Sequence, residues 1–359
     1  MTNGITVLAI HDRISCFHSL RPFLFSRHPR RFTFTSSPEW CLTRDRNDVL
    51  IMVRFFIKPD CVNEDLLRRL RARYKRFAFF HDDAGGGIPR LQVLPHVDLF
   101  YSKALFRDRS VYGRPLYGKE LYSDFFHRKY NVTDPDHRER PIESRPEQLA
   151  KLRLSWNIGV GDYPRGKLRQ RVGVASSLAF GFAASKLFYG AAKALADPVA
   201  SNKGLFPVHA RIGLVRRPSI AQQRKLILER INGDTDFLVG EVSQRRFNFE
   251  IAHSRITLSP FGWGELCLRD FETVRAGSLL LKPDMSHLET WPDIFRPLET
   301  YVPFDWEGRS LVDQAKLYLR DEESRKRIAH RAFENYRDQL AALDDRFESV
   351  ISEIAGKEP

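Results

Sequence analysis

The stretch Ser259–Asp284 (SPFGWGELCLRDFETVRAGSLLLKPD) holds glycine, arginine and glutamate at spacings that suit an anionic ligand. Pro260–Gly264 reads as a turn in which Gly262 and Gly264 let backbone approach closely or take positive φ. Glu265 through Ala276 carries a helical pattern, with Cys267, Phe271 and Val274 on one face and Glu265, Arg269 and Glu272 on the other. Gly277 fits a helix C-cap, and Ser278–Leu281 reads as a strand buried on both sides. A glycine turn opening into a helix offers free N–H groups and a positive dipole end, so it suits phosphate. Arg269 can fork onto phosphate oxygens, and Glu272 can accept from a sugar diol. The same Glu/Arg/Glu face also fits a solvated, ion-paired helix side, so local spacing alone leaves both readings open.

The 359 residues that must position this stretch imply about two domains. With 42% apolar and 12% aromatic residues the chain is globular. A net charge of +13 favours an anionic partner, but the basic residues are spread along the chain and do not choose among partners. Cys16, Cys41, Cys61 and Cys267 have no metal-ligand spacing, which argues against structural zinc and for a reducing compartment. Met1–Asp12 runs straight into a strand-like segment without a charged leader, so a cytoplasmic location is expected.

Strand-like and helix-like segments alternate along the chain. Ile5–Ile10, Arg31–Thr35, Asp48–Phe56, Arg76–Phe80 and Val97–Tyr101 read as strands, and Asn63–Tyr74 as a basic amphipathic helix. This rhythm predicts a parallel, doubly wound sheet whose ligand lies beyond the carboxyl ends of its strands. His11-Asp12, His81-Asp82-Asp83 and Lys103 fall on that edge; an acidic pair before glycine is also ordinary turn chemistry. Tyr112–Pro146 reads as loop. Val172–Leu195 has membrane-like composition but contains Lys186 and Lys193. It is expected as a buried interdomain helix, with a basic interfacial helix on anionic lipid as the second reading. A second alternating unit starts at Val208, with strands at Phe237–Val239, Arg255–Ser259 and Glu299–Pro303 and helices at Ser219–Ile231, Arg245–Ala252, Ser310–Leu319 and Glu322–Asp338. The expected divisions are 1–200 (with an interdomain segment at 164–200), 201–338, and a terminal helix in 339–359 packing back on the first unit.

GWGELCLRDFETVRAGSLLLKPD resembles the nucleotide-sugar-binding element of GT-B-fold glycosyltransferases, nearest the exostosin-like and spore-maturation-type branch. The resemblance rests on Arg269, Glu272, Ala276-Gly277 and Leu279–Leu281, then on Pro283–Thr290 and Asp321–Ala329, and it covers Phe206–Asp338. It implies an α/β architecture of two Rossmann-like domains facing each other across a cleft. It implies Glu272 on the donor ribose, Arg269 on the diphosphate with backbone near Gly264, and Arg216-Arg217 as a further phosphate contact. Many retaining members carry a second glutamate eight residues before the first; here that position is Gly264, and Glu265 is the nearest acid. The acceptor-side base is expected from His11, Asp12 or Asp82. The resemblance implies a nucleoside diphosphate sugar donor, a glycan or glycolipid acceptor of the surface-polysaccharide or lipopolysaccharide type, and no catalytic metal or other cofactor. Peripheral contact with the inner face of an anionic membrane fits the charge.

A nicotinamide enzyme would need G-x-G-x-x-G after the first strand, where this chain has I-H-D-R-I-S. A nucleotide-sugar epimerase on the same fold remains an alternative, as does a non-catalytic anion- or nucleic-acid-binding protein, which only the net charge supports.

Overall fold

Short runs of β-branched and aromatic residues form the centres of two parallel sheets, because strands covered on both faces carry no polar alternation. The computed structural model describes residues 4–10, 20–53, 63–81, 90–118, 120–135, 137, 141–161, 167–188, 198–199, 201–214 and 217–356. The first unit contains β1 (Ile5–Leu8), β2 (Phe32–Thr35), β3 (Val49–Val53), β4 (Arg76–His81), β5 (Leu99–Ser102), β6 (Ala104–Phe106) and β7 (Leu152–Leu154). The second contains β8 (Phe206–His209), β9 (Phe237–Leu238), β10 (Ser254–Leu258), β11 (Leu279–Pro283), β12 (Leu288–Thr290) and β13 (Val302–Phe304). The sheets run β2-β1-β3-β4-β5-β7 and β13-β11-β10-β8-β9, every pair parallel. Counted from its own first strand, each begins in the order 2-1-3-4-5. This is the doubly wound order whose winding reverses between the first and third strands. The expected α/β class with two Rossmann-like units is therefore what the chain adopts.

Helices α1 (Pro38–Thr43) and α2 (Glu64–Arg73) belong to the first unit. Asn63 Oδ1 accepts from Leu66 N at 3.0 Å to start α2, and Leu67 and Leu70 bury its inner stripe. The second unit carries α5 (Pro218–Arg230), α6 (Gln244–Ala252), α7 (Leu268–Arg275), α8 (Leu311–Arg320) and α9 (Glu322–Ala341), after α3 (Leu121–Tyr130) and α4 (Lys167–Phe180) of the first. The terminal helix α10 (Leu343–Ala355) lies on the first sheet. Phe347 meets Phe23 with centroids 5.0 Å apart, and Arg76 Nε donates to Ile354 O at 3.1 Å.

Three elements absent from the sequence reading join the units. β6 and β12 pair antiparallel, with Leu105 opposite Glu289. Helix α3, inside the segment read as loop, packs on α5. Its sequence, LYSDFFHRKY, is aromatic and charged, so propensity marks it weakly; tertiary burial of Tyr122 and Phe126 supplies the order. One core cluster contains Phe100 and Tyr122 of the first unit together with Phe261 and Phe271 of the second.

The expectation for Val172–Leu195 needs correction. Its described part is not a buried interdomain helix. It is the end of α4 followed by a 3-10 turn, Phe182–Leu187, and most of its large apolar side chains face solvent.

Gly277 adopts φ 66°, and a Cβ there would come within 2.7 Å of the Pro198 and Val199 backbone. Gly277→Ala should lower stability by about 1–3 kcal/mol through backbone strain alone, with the clash added; urea denaturation measures it.

Candidate functional site

The reversal point of the second sheet lies between β8 and β10, where the chain leaves adjacent strand ends in different directions and opens a crevice. The turn 259–267 leaves β10 there and enters α7. A fully buried ion pair fixes it: Lys282 Nζ on β11 lies 3.0 Å from Asp270 Oδ2 on α7. Asp270 also accepts from Cys267 N at 2.9 Å and from the Ser259 hydroxyl at 2.5 Å. Gly262 is needed for close approach: a Cβ there would sit 3.0 Å from Cys267 Sγ. Neither Gly262 nor Gly264 takes positive φ, which corrects that part of the expectation. Gly262 N donates to Gly264 O at 3.0 Å, while the amides of Trp263, Gly264 and Glu265 donate to no acceptor among the described residues.

Two guanidinium groups flank this turn without a carboxylate partner. Arg224 of α5 donates through Nε and Nη2 to Phe261 O at 3.2 and 3.0 Å, and through Nη1 to Gly213 O at 2.5 Å. Arg269 donates to Leu258 O at 3.4 Å and Arg211 O at 2.8 Å, and lies 5.5 Å from the Phe247 ring centroid. Burial lowers the pKa of both, and the charge of Arg269 lowers that of Arg224 further. Two nearby arginines share one buried carboxylate instead. Arg211 holds Glu250 through two contacts of 2.8 Å, and Arg246 holds it at 2.6 Å. Arg224 and Arg269 have no carboxylate partner at all among the described residues, so an anion would be favoured beside them. Exposed Leu214, Val239, Trp263 and Leu268 rim the same strand ends. Glu272 is exposed on α7 and forms no ion pair with a described residue.

Where this edge meets the first unit, Glu265 is fully buried and neither carboxylate oxygen has a hydrogen-bond partner in the protein. His287 Nε2 lies 4.0 Å from Glu265 Oε1, and neither ring nitrogen of His287 is bonded. The His287 ring contacts Trp306 at 5.3 Å and Phe106 at 6.3 Å between centroids. Unpaired buried polar atoms are costly, so this pair is a place where hydroxyl groups of a ligand would gain most. Trp306 also lines an open cavity of about 480 Å³ between the units, with Leu121, Phe125 and Lys129.

Arg269 and Glu272 lie on α7, and Gly264 and Glu265 lie in the turn before it; α7 starts only at Leu268 and Glu265 is fully buried, which corrects the expectation of a helix from Glu265 with Glu265, Arg269 and Glu272 on one face. Arg217 does not serve at this edge. Its guanidinium is buried against Glu120 at 2.9 Å and Asp134 at 3.0 Å, both from the first unit. Asp134 also accepts from Ser219 N at 2.9 Å, so it caps α5 across the units. His11, Asp12, Asp82 and Arg216 lie outside the described residues. Arg224 and His287 were missed: Arg224 is an unremarkable basic residue within a helix, and only the strand order brings it under the turn. Among the described residues no group of three or more His, Cys, Asp or Glu is placed to hold a metal.

No protein-family model matches the chain, and no curated protein sequence matches it. Solved structures resemble it at low similarity. HepE of Anabaena, in complex with UDP, is 8% identical with a TM-score of 0.46, covering 98% of this chain and 100% of its own. The UDP-forming α,α-trehalose-phosphate synthase of Burkholderia vietnamiensis is 11% identical with a TM-score of 0.41, covering 86% and 74%. A DNA-modifying β-glucosyltransferase is 10% identical with a TM-score of 0.43, covering 98% and 99%. At these values the likeness carries no argument about activity; the parallel strand order defines the fold.

His209, at the end of β8, is fully buried with both ring nitrogens unbonded. Burial, then the charge of Arg269, pushes its pKa down to about 4. The unfolded chain takes up the proton near pH 6.5 while the folded chain resists it, so stability falls as pH drops from 6.5 toward 4. Between pH 7.5 and 5 this should cost about 2 kcal/mol in the wild type and not in His209→Leu, measured by urea denaturation at each pH.

Proposed function

We propose that the chain is a glycosyltransferase that moves a sugar from a nucleoside diphosphate donor to a hydroxyl of a glycan or glycolipid. The observation that carries this reading is the pair of carboxylate-free arginines, Arg224 and Arg269, beside the Gly262–Gly264 turn at the reversal point of the second sheet. In this reading the two guanidiniums and the free turn amides hold the diphosphate, and Glu272 accepts from the ribose diol. The apolar rim of Leu214, Val239 and Trp263 covers the base. Glu265 and His287 meet hydroxyls of the donor sugar, whose O–H groups supply the donors that the carboxylate lacks.

Transfer breaks the bond between the anomeric carbon and the phosphate oxygen and forms one to the acceptor oxygen. The leaving diphosphate keeps the electron pair, and Arg224 and Arg269 stabilise its added charge. The acceptor proton goes to a base, for which the sequence following β1 and β4 offers His11, Asp12 and Asp82 as candidates. No metal is assigned to the step.

A panel of uridine, guanosine, adenosine, cytidine and thymidine diphosphate sugars should give one strong thermal stabilisation. Arg224→Ala should weaken binding of the matching nucleoside diphosphate about tenfold or more by calorimetry, and it should also lower the unfolding temperature because Phe261 O and Gly213 O lose their donor. Glu265→Gln should weaken the sugar nucleotide more than the bare nucleoside diphosphate. Unchanged diphosphate affinity in Arg224→Ala and Glu272→Ala would overturn the reading.

A further inference from the structure

Helix α4 presents its apolar residues the wrong way round for a helix on a globular core. Leu168, Val172, Ala175 and Ala179, at spacings of four, three and four, all lie on the solvent side. The side turned inward carries Gly173 and Ser177, with Val174 partly buried at its edge. The chain then continues outward through Leu178, 64% exposed, and Phe180, 82% exposed. In the following 3-10 turn Phe182 anchors the segment, its ring 4.6 Å from Phe34, and Leu187 is 78% exposed. Among the described residues before 200, six large apolar side chains are exposed, and only Ile142 lies outside Leu168–Leu187. An apolar concentration of this kind on an otherwise polar unit marks an interaction surface.

Charge decides what it meets. Lys167–Leu187 contains Lys167, Arg169, Arg171 and Lys186 and no acidic residue. Arg169 and Arg171 flank the apolar stripe and form no ion pair with a described residue. Two copies docking through this face would bring like charges together, which disfavours a self-interface. Protruding Leu and Phe with Arg and Lys beside them is the composition of a helix lying in a lipid interface. No described helix is long and apolar enough to cross a membrane, so the segment would lie on the bilayer rather than span it.

We propose that Leu168–Leu187 docks the chain onto an anionic lipid surface, with Leu168, Val172, Leu178, Phe180 and Leu187 entering the interface while Arg169 and Arg171 meet lipid phosphates. This inference rests on neither the donor site nor the transfer reaction. It does bear on the acceptor, since a chain held on a membrane favours a lipid-linked one.

Flotation of the full chain with vesicles of phosphatidylcholine alone, or with phosphatidylglycerol added, tests it. Binding should require the anionic lipid and weaken with added salt. Arg169→Glu with Arg171→Glu should lower vesicle affinity at least about tenfold. Phe180→Ser with Leu187→Ser should lower it similarly at unchanged charge. These positions are exposed, so circular dichroism and nucleoside diphosphate affinity should match the wild type in both variants; that second readout keeps failure here separate from failure of the donor site. No binding to anionic vesicles, or equal binding by wild type and variants, overturns the proposal. So does a change of oligomeric state in the Phe180→Ser variant without loss of vesicle binding, which would assign the face to a protein contact.

Discussion

The buried pair of Lys282 and Asp270 is the constraint from which the second unit's ligand edge follows. Neither residue is accessible to solvent, and a charge taken out of water is tolerated only when paired and hydrogen-bonded. Here the satisfaction is nearly complete. Asp270 receives Lys282, the Cys267 amide and the Ser259 hydroxyl, and Lys282 also reaches Ser259 O at 3.5 Å. Those bonds link the end of β10, the glycine turn, the first turn of α7 and β11. Apolar residues of similar volume could pack as stably, so the value of the pair lies in direction. It sets where α7 starts, and hence where Arg269 and Glu272 stand relative to the turn.

A second polar cluster positions the units against each other. Arg217 bridges Glu120 and Asp134, and Asp134 in turn caps α5. Arg224 lies two turns further along that helix. The residue that grips the turn at Phe261 O is thus carried by a helix whose start is fixed from the opposite unit. Tyr122 adds a direct link, its hydroxyl donating to Gly262 O at 3.1 Å. The glycine turn is held from below by Lys282 and Asp270, from the side by Arg224 and from the first unit by Tyr122. Such restraint is what a site needs if its amides are to face a ligand without reorganising.

How much of this was legible in the sequence follows from the range of the interactions. Runs such as Val49–Val53 and Leu279–Leu281 are continuously apolar, and their alternation with helical segments pointed to two parallel sheets. Phe271, Val274 and Gly277 fixed α7 through local periodicity and a positive-φ cap, so Arg269 and Glu272 could be placed on its outer face. Arg224, His287, β6 and β12 depend on pairings between distant segments, which no local pattern encodes. Arg217 failed differently. Position after a strand end was read as phosphate contact, but Glu120 and Asp134, about a hundred residues earlier, claim it. The segment from Val172 misled because composition reports how apolar a helix is and not which side faces the core. Only Gly173 and Ser177 turned inward show that the apolar stripe is left outside.

The net charge of +13 is a sum over arginines and lysines in three different electrostatic situations. Arg211 and Arg217 are matched by buried carboxylates, and they contribute to structure but not to any external field. Arg224 and Arg269 are partly buried and matched only by carbonyl dipoles, so they offer strong, short-range attraction to one bound anion in a defined geometry. Arg169 and Arg171 are exposed, hydrated and unpaired, so their attraction is weak per group, additive and screened by salt. The first situation holds the two units in register, the second selects a small ligand, and the third suits an extended surface carrying many like charges. A bulk charge that could not choose among anionic partners becomes informative once each guanidinium is assigned its counter-charge.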